Sequence, residues 1–131
     1  MDSLPQVEQL VRFAERLVRV PEIRISEPRD LDGVLRLCEA EGWTSFPEDR
    51  ERANRVLTAP GVTTVVAVAD GEVVGFAELL SDGELQSYLA KLVIGCSFRR
   101  TGLRRSLVEK VLQLGGGQRI DLLSEDGAVP R

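Results

Sequence analysis

Residues 92–105, reading LVIGCSFRRTGLRR, join a strand pattern that ends at Ile94 to a helix pattern that opens at Gly102. Four arginines, Arg99, Arg100, Arg104 and Arg105, surround that opening. A helix N-terminus carries unpaired backbone N–H groups and a partial positive charge. A glycine there lets the backbone approach a ligand closely. Guanidinium forks match phosphate oxygens. Basic side chains oppose the dipole at this end of a helix, so placing four there needs a reason. The chemistry that supplies one is anion binding, most simply of a di- or polyphosphate. The bland alternative is a set of solvated charges flanking a helix. A second glycine-rich stretch, Gly115-Gly116-Gly117, follows a helix pattern instead of opening one, and reads as a helix stop and linker.

Composition removes several alternatives. The chain has 131 residues, the size of one domain, with 17 Lys+Arg against 21 Asp+Glu and a formal net charge of −4. A whole-domain nucleic-acid footprint would carry the opposite sign. There is no histidine, which excludes Ser-His-Asp and Cys-His catalysis and His-ligated zinc or haem. Cys38 and Cys96 stand far apart and form no CxxC, so neither a disulfide framework nor a zinc site is expected, and no metal. A reducing cytoplasm is the default location. No apolar run approaches the ~18 residues that span a membrane, and the N-terminus lacks a signal-peptide pattern.

The elements that must position the arginine loop read as follows. Residues 4–18 carry an apolar stripe at helical spacing, from Leu4 to Val18, with Pro21 beyond it. Residues 23–26 (IRIS) read as a short strand. Leu31, Val34, Leu35 and Cys38 mark a helix stopped by Gly42, and Trp43 and Phe46 fall in the loop after it, as core more readily than cleft. Pro47 and its following acids start another helix, ended by Pro60-Gly61. Residues 63–69 (TTVVAVA), the turn Asp70-Gly71 and residues 72–80 (EVVGFAELL) form a hairpin. Gly75 inside it implies a bulge or a close backbone approach. Residues 86–94 make a third long strand, 102–114 a helix and 120–123 a last short strand.

On these residues the chain resembles the GNAT family of acetyl-CoA-dependent N-acetyltransferases. The family motif L-x-V-x-P-x-Y-[RQ]-x-x-G-x-[GA] aligns with Leu92, Ile94, Cys96, Phe98, Arg99, Gly102 and Arg104. Cys96 stands for the usual proline and Arg104 for the second glycine or alanine. Residues 23–37 look like the family's first strand and helix, and residues 69–79 like its second and third strands. The resemblance covers about residues 22–124. It implies an α+β fold, a mixed central sheet flanked by helices, truncated after the fifth strand. Residues 1–21 would be an N-terminal helical extension and residues 22–131 the acetyltransferase domain.

The resemblance also implies roles. The backbone of Leu92, Val93 and Ile94 would pair with the pantetheine arm of acetyl-CoA, and an N–H near Ile94 would polarise the thioester carbonyl. Backbone N–H groups of Arg99, Arg100, Thr101, Gly102, Leu103 and Arg104 would hold the pyrophosphate. Acetyl transfer to an amine of a small molecule or protein is direct, so no enzyme nucleophile is needed; Cys96, with no base beside it, is not one. The amine must lose a proton, for which Glu78, and after it Glu84, are the topologically nearest carboxylates. The family's thiolate-protonating tyrosine lies in a C-terminal part that this chain does not match, and Tyr88, on the fourth strand, is the only tyrosine. The shortened sheet would favour a second copy completing it as a homodimer. The alternatives are an acyl-CoA-binding or protein-interaction module without turnover, and a domain whose arginine loop binds another anion.

Overall fold

The apolar run before Asp70 becomes a central strand because both of its faces are covered. The computed structural model describes residues 6–10, 20–43, 48–116 and 119–122, the last four by their backbone. Its strands are β1 (Glu22–Ile25), β2 (Val62–Ala69), β3 (Glu72–Ser81), β4 (Gln86–Ile94) and β5 (Arg119–Leu122). They form one sheet in the order β1-β2-β3-β4-β5. The first four pair antiparallel, and β5 lies parallel to β4. Helices α1 (Leu31–Ala40) and α2 (Arg50–Leu57) pack on one face and α3 (Leu103–Gly115) on the other. This is the α+β arrangement, a mixed sheet flanked by helices, that the sequence implies.

Alternate residues of β2 feed two cores. Val65, Ala67 and Ala69 join Ala77, Leu79, Leu107 and Val111 beneath α3. Val66 joins Phe76, Val93, Val34 and Leu57 beneath α1 and α2. Burial on both faces is why residues 63–69 show no polar alternation. Asp70 and Gly71 take φ of 52° and 78°, and Ala69 faces Glu72 directly. That is the two-residue hairpin geometry that Asp-Gly favours.

The entry to α1 is tied down by charge. Asp30 accepts from both Arg24 guanidinium nitrogens, at 2.7 and 2.9 Å, and from the Glu27 N–H at 2.7 Å. Burial alone would raise its pKa, but the Arg24 fork and the Glu27 N–H outweigh burial and hold the carboxyl below the usual range. Beyond the helix end at Ala40 and its cap Glu41, Gly42 takes φ of 81° and turns the chain away. Gly33 brings α1 against β3, since an added Cβ would stand 2.6 Å from both Cβ and Cγ2 of Val73. Neither atom is the far end of a flexible chain. We expect Gly33→Ala to destabilise the fold by about 1–3 kcal/mol through overpacking. A denaturant melt with an unchanged or higher midpoint refutes that close approach.

Residues 6–10 are helical, and Val7 and Leu10 remain exposed. The rest of the N-terminal stripe, together with Phe46 and Pro47, lies outside the described residues. No helix among the described residues is long and apolar enough to cross a membrane.

Candidate functional site

Two bulges shape the region around β4. The first follows from Gly75. In the β2–β3 ladder Ala67 faces Gly75 and Val68 faces Val73, so Val74 has no partner in β2. Its carbonyl instead accepts the Gly95 N–H at 2.8 Å, which anchors the chain as it leaves β4. An added Cβ at Gly75 would meet Leu107 Cδ1 and the Val93 carbonyl, both at 3.1 Å. The glycine thus gives α3 its close seat on the sheet.

Beyond Gly95 a 3-10 turn (Cys96–Phe98) leads into the arginine loop. Phe98 is buried under α3, and the Thr101 hydroxyl donates to its carbonyl. Arg100 and Gly102 take φ of 66° and 88°. Left-handed residues on either side of Thr101 turn the backbone back on itself, the kind of concavity in which N–H groups converge on an anion. Gly102 caps α3 with no side-chain hydrogen bond, and no acidic residue stands in the first turn. The first N–H groups of α3 are therefore left to solvent or a ligand. Leu103 is buried against the sheet and fixes the start of the helix. Arg99 reaches Glu41 at 3.1 Å and Arg105 reaches Glu109 at 2.9 Å. Arg100 and Arg104 are exposed and have no acidic partner among the described residues.

The edge of β4 facing β5 is only half used. The β5 ladder covers residues 86–89 of β4, so residues 90–94 have no strand partner on that side among the described residues. Val93 and Ile94 bury their side chains in opposite cores and Leu92 packs beneath α3. What these three residues offer a ligand is their backbone.

The second bulge lies at Ala90. Leu79 faces Leu89, but Glu78 faces Lys91. Counted from the β3–β4 turn without a bulge, Ala90 would stand opposite Glu78 and Lys91 would point to the α3 face. The extra residue brings Lys91 to the face that carries Glu78. Leu80 faces Tyr88, so Tyr88 projects from this face too. Glu78 is 2% exposed and Lys91 26%, with Nζ 3.5 Å from Oε1. Glu78 Oε2 has no hydrogen-bond partner among the described residues. Burial pushes the Glu78 carboxyl up, and the Lys91 ammonium offsets this only in part. Cys38 of α1 lies within electrostatic reach of both; burial pushes its thiol up to about 11.

Tyr88 is half-exposed and lines, with Leu80, Val62, Pro60 and Gln86, a shallow depression. Glu84 is exposed in the β3–β4 turn, where its N–H donates to Asp82. Trp43 packs on the core beneath α1 and α2. The sequence singles out Glu78 and Tyr88 as candidates but not Lys91 or Cys38, which the fold brings to the same face. A bulge at Ala90 leaves no residue-type signal, and the pairing of Lys91 depends on it.

No curated protein sequence matches the chain. The fold matches a GNAT-family protein of Streptococcus pneumoniae TIGR4, 27% identical, over 82% of this chain and 77% of that one, with a TM-score of 0.65. An acetyltransferase of Trypanosoma brucei is 23% identical over 82% of this chain and 84% of that one, with a TM-score of 0.65. The aminoglycoside N-acetyltransferase AAC(6')-Iy, in complex with CoA, is 23% identical over 81% and 78%, with a TM-score of 0.67. The family model for the acetyltransferase (GNAT) domain matches residues 31–130, most of the chain. With the sheet, the glycine-capped α3 and the half-open edge of β4 all in place, the chain belongs to the GNAT acetyltransferase family.

Proposed function

We propose that this chain transfers the acetyl group of acetyl-CoA to an amine of a small molecule or protein, with residues 22–131 as the acting domain and residues 1–21 as an extension. The observation that carries the reading is the left-handed, uncapped entry to α3 at Arg100 and Gly102, beside the open edge of β4. This donor set fits the cosubstrate: a cluster of N–H groups for a diphosphate, and an extended backbone edge for an amide-bearing arm. The N–H groups from Arg99 to Arg104 hold the diphosphate, and the free guanidinium groups of Arg100 and Arg104 add charge. The backbone of Leu92 to Ile94 pairs with the pantetheine arm, and an N–H near Ile94 polarises the carbonyl.

Acetyl-CoA supplies an activated acyl carbon. The amine attacks that carbon, a C–N bond forms and the C–S bond breaks. Glu78 receives the amine proton; Tyr88, six residues from Ile94 and so ~20 Å along β4, is out of reach of a thiolate held there, which takes its proton from water. The acceptor lies over Leu80 and Tyr88, next to the Glu78–Lys91 pair. Support for an amine acceptor comes from AAC(6')-Iy, which has also been solved with a bisubstrate analogue of CoA and acetylneamine.

The test is a thermal unfolding scan with acetyl-CoA, with phosphate and ATP as controls, followed by free-thiol release across a panel of amines. Ligand at ~100 times its dissociation constant adds about 2.7 kcal/mol. For a domain of this size that raises the midpoint by on the order of ten degrees. No shift with acetyl-CoA in a cooperatively folding sample overturns the reading. A shift without thiol release for any amine replaces it with an acyl-CoA-binding module.

A further inference from the structure

Among the described residues, the buried carboxyl of Glu78 sits in a surround that supplies one cation. Strand β4 contributes Lys91, with Nζ 3.5 Å from Oε1. From α1 comes the Cys38 thiol, neutral at physiological pH. From β2 comes Thr64, which faces Glu78 in the ladder but whose hydroxyl donates to the Leu57 carbonyl of α2 at 3.2 Å. On β3 itself the same-face neighbours, Phe76 and Leu80, are apolar. Lys91 is thus the cation that compensates a carboxylate here, and it meets one oxygen while the other stays unpartnered.

We propose that Lys91 is a positioning residue for Glu78: from the bulged turn of β4 it holds Oε1 and supplies the compensating charge, so that the carboxylate is ionised and takes the acceptor's proton on its lysine side. This rests on the reading of Glu78 as the base. The bulge at Ala90 gains a purpose, because without it Lys91 would face α3 and Glu78 would be buried without a counter-ion. Lys91 is also the solvent-reaching member of the pair, so the pair opens toward solvent on the lysine side. The lysine neither touches the reacting carbon nor moves a proton; it fixes the orientation of the carboxylate and how readily it is ionised.

The experiment follows the Glu78 carboxyl carbon by NMR through a pH titration of the full chain in wild type, Lys91→Met and Lys91→Arg. Glu78→Gln identifies the resonance. The expected result is a midpoint raised by about one pH unit or more in Lys91→Met, tenfold tighter proton binding, and brought back by Lys91→Arg. An unchanged midpoint in Lys91→Met overturns the proposal. Where Lys91→Met folds poorly, its thermal midpoint at pH 5 and pH 8 decides instead. Recovery at the lower pH, where a larger share of Glu78 is protonated, supports the pairing, and an equal loss at both refutes it. With an amine that turns over, the acidic limb of the kcat/KM profile must rise with the Glu78 midpoint. A limb that stays while the midpoint moves overturns the proton-accepting role. If wild type transfers to no amine, the function reading fails on its own, and the titration still decides whether Lys91 governs Glu78.

Discussion

Gly102→Asp will abolish the acetyl-CoA-dependent rise in unfolding midpoint while leaving the unliganded protein folded. Gly102 has a φ of 88°, and nothing lies within 4 Å of the position an added Cβ would take. The change therefore does not overpack the core. It costs roughly 1–2 kcal/mol in backbone conformation, a cost that Asp and Asn moderate because they visit the left-handed region. The larger effect is charge. A carboxylate at the mouth of the N–H cluster repels a diphosphate and offers the first-turn N–H groups an internal acceptor in its place. A hundredfold loss of affinity is about 2.7 kcal/mol. At a ligand concentration that saturates wild type it reduces the stabilisation to on the order of 0.4 kcal/mol. Gly102→Asn separates the causes, since it has the same size and backbone preference without the charge. Asn should keep most of the shift. Equal losses in Asp and Asn would move the cause from charge to sterics, and an unchanged shift in Asp would remove the diphosphate from this loop.

That loop was legible in the sequence because each of its requirements is local. A glycine must follow the arginines, a helix must open there, and a strand must end several residues earlier. All three are visible within residues 92–105. The hairpin at Asp70-Gly71 and the helix from Leu31 were legible for the same reason: a turn type and a 3.6-residue stripe are properties of short segments. The observed strand 86–94 coincides with the expected one, the other strands and the helix after Gly102 shift by one residue, and α2 (Arg50–Leu57) is about three residues shorter at each end than the stretch from Pro47 to Pro60. What stayed hidden was register. Gly75 announced some irregularity, but nothing told that the freed carbonyl of Val74 would anchor Gly95. Ala90 announced nothing, and the pairing of Glu78 with Lys91 turns on it. A hairpin's register is a sum over its whole length, so one silent insertion moves every later side chain to the other face. In the sequence, only topology points to Glu78. Its burial and its unpartnered oxygen are properties of the packed sheet that no spacing in the chain encodes.

Glu78→Gln will lower acetyl transfer by roughly 10²–10⁴-fold, the range for losing a general base, with acetyl-CoA binding intact. Glutamine keeps the shape of the side chain and removes its capacity to take a proton. Because burial raises the Glu78 pKa in the fold, the group's stabilising contribution is full below the ordinary Glu value near ~4.3 and is lost as pH rises through the folded-state value. Wild type therefore carries a pH-dependent destabilisation on its alkaline side that the glutamine variant lacks. The variant should unfold at the same temperature as wild type or higher at pH 8, with the difference shrinking toward pH 5. That sign separates the two ways activity could fall. A base removed from a sound scaffold gives lower kcat, unchanged acetyl-CoA affinity and a midpoint at pH 8 that does not drop. A Glu78 whose role is structural gives a lower midpoint at every pH, with loss of activity following loss of fold. Retention of full transfer activity in a folded Glu78→Gln protein would leave the buried carboxyl without a chemical role and return proton removal to solvent.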